Sequence, residues 1–155
     1  MICKEELERI YRTHFQTVWN LCYTCLRHPA DTEDAVQATF EKLARSGKRF
    51  RDGEHEKAWL IVTARNVCRD ELRRRGRNAL PLEQTTPAVP AHRMDETLLA
   101  LNTLPQAYRL VLYLFYYEEL STRQIAALLK KPDATVRSHL HRGRKLLKEQ
   151  LEGEA

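Results

Sequence analysis

Cys22-Tyr23-Thr24-Cys25 is the one stretch whose residue types and spacing could hold a metal ion or exchange electrons. His14, His28 and Cys68 are the side chains that could complete such a set, but no second cysteine pair at zinc-finger spacing exists. Cys22 falls on an apolar helical stripe, where a thiol behaves as a small hydrophobe. Together with Cys3, these cysteines form no dense scaffold, and a reducing compartment would keep them as thiols. No metal and no cofactor is therefore expected. The chain has no glycine-rich phosphate loop, nucleophile elbow or paired-carboxylate site, so no catalysis is expected either.

The remaining chemistry is that of binding. STRQIAALLKKPDATVRSHLHRGRKLL, residues 121–147, ends in a dense basic block. Ser121-Thr122-Arg123-Gln124 has the form of a capping box, opening a short helix with Ile125, Ala126 and Leu129 apolar. Lys130-Lys131-Pro132 forces a turn, and Asp133 is suited to cap a second helix. Helix, tight turn and longer helix outline a helix-turn-helix.

At about 100° per residue, Val136, Leu140, Gly143 and Leu147 fall within roughly 60° of one another and mark the buried edge. Arg137, Ser138, His141, Arg142, Arg144 and Lys145 occupy the remaining surface. Early residues of such a face can reach base edges while later cations neutralise phosphates. The plainer alternative, a solvated amphipathic helix closing a bundle, does not account for the cap, turn and short helix before it. At Lys130 a left-handed residue carrying a Cβ would cost about 1 kcal/mol.

Bulk properties agree with an anionic partner: the 155 residues carry a net charge of +5 and a pI near 9.1. With 43% hydrophobic and 30% charged residues the chain can build a core. No apolar run approaches the roughly 20 residues of a membrane span, and MICKEELERIYRTHF does not read as a secretory signal. A cytoplasmic protein without membrane insertion is expected.

The elements that must position these residues read as helices throughout. Leu7, Ile10, Tyr11, Val18, Trp19, Cys22 and Leu26 form the stripe of a long first helix, ended by His28-Pro29-Ala30. Asp31 or Thr32 can cap the next, with Ala35, Val36, Thr39, Phe40 and Leu43 inward. A polar loop spans 46–56, and a third helix follows over 58–75 with Leu60, Ala64, Val67 and Leu72 inward. Residues 76–95 hold Pro81, Pro87 and Pro90, through which a helix cannot run. Beyond them Leu98, Leu101 and Leu104 form a short stripe, Pro105 suits the first position of a new helix, and Val111, Leu114 and Phe115 continue inward. An all-α protein is expected: two small helical domains, 1–76 and 95–155, joined by a flexible linker at 77–94, the second domain holding the helix-turn-helix.

Three segments in this order resemble a bacterial RNA polymerase sigma factor of the extracytoplasmic-function (ECF) group, and the resemblance covers nearly the whole chain. ADTEDAVQATFEKL (30–43) resembles the polymerase-binding segment, and AWLIVTARNVCRDELRRR (58–75) resembles the helix that meets the −10 promoter element. Residues 104–147 resemble the domain that binds the −35 element. The resemblance implies core RNA polymerase and promoter DNA as partners, and for many of the group an anti-sigma factor, whose contact surface nothing in the sequence specifies.

Carried over by position, Asp31, Asp34, Gln37 and Phe40 match the polymerase-binding motif, whose helix docks on a coiled coil of the largest subunit. Asp34 and Gln37, at i and i+3, share a face. For Asp31 and Glu33 the helix dipole alone is a sufficient reason for acidity, and Ala38 departs from the acidic residue common there. In the second motif Trp59, Arg65, Asn66 and Asp70 match. Asn66 is the candidate for reading an unpaired −10 base on its edge, within a pocket walled by residues 51–57, while Trp59 is expected first as a core anchor. Arg73, Arg74 and Arg75 are either phosphate contacts or simply solvated.

In the third motif Arg137, Ser138 and Arg142 match positions facing the −35 major groove, where arginine on guanine is the commonest specific contact. His139 and His141 depart from frequent choices there. Gly143 replaces a usual alanine, at about 1 kcal/mol of helix propensity. The reading is thus bipartite recognition without chemistry of its own. Its rival is a stand-alone helix-turn-helix regulator on paired half-sites, which leaves the acidic-then-basic order of residues 30–75 unexplained.

Overall fold

In a computed structural model of the chain, which describes residues 2–78 and 95–153, every regular element is an α-helix and no strand occurs among the described residues. The chain divides into two units, Met1–Val89 and Pro90–Ala155. Residues 79–94 of the expected linker lie outside the described residues, while positions 77 and 78 belong to the third helix.

The first unit packs three helices against one another: α1 (Lys4–Leu26), α2 (Pro29–Ser46) and α3 (Gly53–Asn78). α1 stops where Arg27 turns left-handed at φ 57°, its N–H donating to Tyr23 O at 2.8 Å. His28, rather than Asp31 or Thr32, caps α2, its Nδ1 accepting from the Asp31 N–H at 3.4 Å. Pro29 takes the first helical position, where a missing N–H is no loss. α3 opens five residues before the expected Ala58 because Asp52 Oδ1 accepts from the His55 N–H at 2.8 Å. Residues 53–56 of the expected loop 46–56 are therefore helix.

Ile10, Val18, Trp19, Leu21, Cys22, Val36, Phe40, Leu43, Leu60, Ile61, Ala64 and Cys68 fill the core of this unit. The expected inward set is thereby corrected in detail. Tyr11 is 44% exposed, and Val67 and Leu72 are only half-buried, because the inner face of α3 centres on Leu60, Ala64 and Cys68. One carboxylate is buried with them. Glu56 accepts from Arg9 at 2.5 Å and lies 3.0 Å from His14 Nε2, which ties the start of α3 to α1. Burial alone would raise the pKa of Glu56, but Arg9 and His14 together outweigh it and hold the group below the ordinary carboxylate value.

The second unit contains α4 (Glu96–Leu101), α5 (Gln106–Tyr116), α6 (Thr122–Leu129) and α7 (Asp133–Gly153). Asp95 caps α4 through the Leu98 N–H at 2.8 Å and accepts the Tyr117 hydroxyl on the same oxygen at 2.5 Å. Pro105 is the N-cap of α5, one position before its expected place. Both halves of the capping box form, Gln124 N–H to Ser121 Oγ at 3.1 Å and Ser121 N–H to Gln124 Oε1 at 2.8 Å. Lys130 is left-handed at φ 54°, and the Lys131 N–H closes the turn on Ala126 O at 3.0 Å. Asp133 begins α7 rather than capping it; the Thr135 and Val136 N–H groups donate to Pro132 O.

Gly143 has a packing reason that propensity does not reveal. A Cβ there would stand 2.8 Å from Leu112 Cδ1 and 3.1 Å from Tyr108 Cβ. The absent side chain lets α7 settle onto α5.

Candidate nucleic-acid and partner interfaces

α7 is anchored by Val136, Leu140 and Gly143, which are buried against α5 and α6. The expected fourth anchor, Leu147, is only half-buried. Arg137, Ser138, His141, Arg142 and Lys145 are all exposed on the outward surface. Arg137 holds an i,i+4 ion pair with Asp133 at 2.9 Å, which aims the guanidinium along the first turn of the helix. Among the described residues neither Arg142 nor Lys145 has an ion-pair partner. Such cations are available to displace counterions from a polyanion.

Arg144 is exposed as well but is engaged within its own unit. Its Nε donates to Tyr116 Oη at 2.7 Å, and its guanidinium lies 5.0 Å from the Phe115 ring centroid and 5.6 Å from that of Tyr116. It clasps α7 to α5. His139 is likewise turned inward, 5.6 Å from the Tyr108 ring, and burial, followed by Lys131 and Arg142, lowers its pKa. Of the two histidines, His141 alone belongs to the exposed face.

On α3, Trp59, Asn66 and Arg73 fall within about 40° of one another at ~100° per residue, away from the buried side. Trp59 is half-buried, its ring 5.9 Å from Phe50, so the core-anchor expectation is corrected: it stands at the rim of the core with part of its surface open. Asn66 is half-buried and receives a long 3.4 Å hydrogen bond from Arg65. The Arg65 guanidinium also acts electrostatically on Cys25 of α1; burial first, then Arg69, lowers the pKa of this arginine. The arginine run is divided. Arg74 donates twice to Glu71, at 2.9 and 2.7 Å, while Arg75 is half-buried and paired with Asp31 and Glu71.

That pairing also bears on α2. Asp31, held by Arg75 and 3.4 Å from His28 Nδ1, is engaged within its own unit. Asp34 and Gln37 are exposed together, and Gln37 Nε2 lies 3.4 Å from Glu41 Oε1. Phe40 is only 7% exposed and acts from beneath, its ring 4.8 Å from that of Tyr11. Periodicity had hidden Tyr11 by placing it on the inner stripe. Its polar neighbours Glu8 and Arg12 were the available signal that this edge faces water.

A basic, outward face on the second helix of a capped helix-turn-helix defines a DNA-reading class of protein. Comparison with known families and proteins narrows the class. The family described as Sigma-70 region 2 matches residues 10–78, and that described as Sigma-70, region 4 matches residues 94–147. The ECF RNA polymerase sigma factor SigL of Mycobacterium tuberculosis is 32% identical over 87% of this chain and 82% of that protein. SigE of Mycolicibacterium smegmatis, also an ECF sigma factor, is 33% identical over 93% of this chain, which spans 61% of SigE. A solved structure of the sigma factor RpoE with the anti-sigma factor NepR from Bartonella quintana aligns with a TM-score of 0.74 and 25% identity, covering 96% of each chain. The chain belongs to the ECF group of RNA polymerase sigma factors. These are non-catalytic transcription initiation factors, and no helix among the described residues is long and apolar enough to cross a membrane.

Proposed function

We propose that this chain binds core RNA polymerase through residues 1–76 and reads a bipartite promoter, with residues 95–155 on the −35 duplex and α3 on the −10 strand. It performs no chemistry itself; the polymerase does. The observation that carries this is the outward face of α7, where Arg137, Ser138, His141, Arg142 and Lys145 are exposed while Val136, Leu140 and Gly143 hold the helix down. Arg137 and Arg142 read guanine edges, and Lys145 neutralises phosphate. Arg144 braces the helix instead of touching DNA.

On α3, Asn66 and the open part of Trp59 take an unstacked base, with Arg73 near the backbone. Arg65 supports Asn66 rather than binding first. On α2, Asp34 and Gln37 meet the polymerase, Phe40 with Tyr11 supplies the apolar edge, and Asp31 orients α2 against α3. Each unit alone offers a small contact area. Mounting both on polymerase raises their effective concentration on two sites at fixed spacing. By likeness to the RpoE–NepR pair, an anti-sigma factor is a further partner. The working location we propose is the cytoplasm, with the polymerase and promoter DNA that the reading requires.

Two substitutions test the division of labour. Arg137→Ala leaves polymerase assembly intact and lowers promoter-specific run-off transcription by about 30-fold, the value of one bidentate base contact of about 2 kcal/mol. Asp34→Arg abolishes assembly on a gel-filtration column while the chain still binds −35 duplex. Loss of the same single property in both variants overturns the assignment, and a palindromic footprint by the free protein favours the stand-alone regulator.

A further inference from the structure

We propose that Cys25 and Cys68 form an oxidation site that closes to a disulfide between α1 and α3 when a peroxide reaches it. Nothing in the promoter-reading function uses these thiols, and the proposal does not depend on that function. α1 and α3 pack directly against each other, and three of the four cysteines of the chain meet at their contact. Cys22 and Cys25 are separated by three residues on α1, so both point toward one flank of the helix. Cys68, on α3, is within hydrogen-bonding reach of both. All are reduced, and among the described residues no group of three His, Cys, Asp or Glu side chains is placed to hold a metal ion.

The three thiols are not equivalent. Cys22 and Cys68 are each 0% exposed, so an oxidant in water cannot reach them first. Cys25 is half-buried with part of its surface open, and the Arg65 guanidinium stands close enough to act on it electrostatically. A cation beside a sulfur favours its anionic form, which is the nucleophile. Cys68 has the complementary character. Its contact with Cys22 pushes its pKa above the ordinary thiol value, against the lowering contact with Cys25 and ahead of burial, so it does not react first and gives up its proton only as it attacks.

The reaction balances with one peroxide. The Cys25 thiolate attacks hydrogen peroxide, the O–O bond breaks, and sulfenic acid and water are formed. Cys68 Sγ then attacks the Cys25 sulfur; the S–S bond forms, the S–O bond breaks, and the hydroxyl leaves as water with the Cys68 proton. Two thiols and one peroxide yield one disulfide and two waters. The bond lies two residues from Asn66, on the helix that carries the proposed −10 contacts.

The test treats the full chain with hydrogen peroxide, blocks residual thiols with iodoacetamide, and digests it with trypsin without reductant. Cleavage after Arg12, Arg27, Arg65 and Arg69 releases residues 13–27 and 66–69 as one linked species, two hydrogens lighter than the sum of the two with Cys22 carbamidomethylated. The linked species survives Cys22→Ala and vanishes in Cys25→Ser, a substitution at a partly open position that leaves the core intact. In Cys68→Ala, dimedone labels Cys25; circular dichroism establishes that this variant is folded. Persistence of the link in Cys25→Ser, dimedone labelling of Cys22 in place of Cys25, or linkage only between two chains overturns the proposal.

Discussion

α3 and α7 are both long, arginine-rich helices, yet they treat their charges in opposite ways. On α3, Arg74 and Arg75 turn back onto Glu71 and Asp31, and the buried Glu56 gathers Arg9 and His14. On α7, Arg142 and Lys145 stand unpaired among the described residues, and the helix is fastened by close apolar contact at Gly143 instead. Reading duplex DNA gains from counterion release, which needs uncommitted cations. The proposed hold of α3 on a displaced strand depends instead on a helix kept in place, to which these internal ion pairs contribute. The difference teaches that basic content alone does not locate a DNA-reading face; what matters is which cations are free or, like Arg137 with Asp133, held only by an exposed pair within one turn of the helix.

The largest effect that could break this contrast is on stability. Glu56→Gln removes the negative charge shared by Arg9 and His14 and replaces one of its two acceptor oxygens with a donor, and should cost about 3 kcal/mol, as expected for one partner of a buried ionic cluster. A tryptophan-fluorescence melt follows the first unit alone, because Trp19 and Trp59 are the only tryptophans. A cost below about 0.5 kcal/mol, the range of exposed pairs, would mean that internal pairing does not hold α3. Gly143→Ala gains about 1 kcal/mol of helix propensity but drives a Cβ against Leu112 and Tyr108. The net expectation is a loss of about 1 kcal/mol in the second unit, read by circular dichroism; a gain in stability would show that the close approach is dispensable.

Smaller effects sharpen the same contrast. Lys145→Ala should weaken duplex binding evenly across sequences and lower the salt slope by about 1, whereas Arg74→Ala should leave that slope unchanged. Last comes titration. His139 takes up a proton less readily in the fold than its ordinary value of 6.5, so the unfolded chain binds more protons just below that pH. Its contribution is present above 6.5 and is lost as pH falls through the lowered value. Glu56 is held below 4.5, so its contribution disappears only as pH falls through that lower value. On acidification, far-UV circular dichroism should therefore change before tryptophan fluorescence does.

The sequence by itself determined the helices, the capping box at Ser121, the left-handed turn at Lys130 and the outward cations of α7. All of these are set by residues within about one turn of each other, where periodicity, caps and sterics act directly. It misjudged Asp133 and Pro105 by a single position, because neighbouring residues compete closely for a cap. Only the tertiary structure decided that Tyr11 faces water, that Glu56 is buried, that Arg144 is taken up by Tyr116 from 28 residues away, and that Asp31 pairs with Arg75. The physical reason is common to all four. Whether a charge or a ring is committed depends on which distant surface arrives beside it, and no local pattern encodes that arrival.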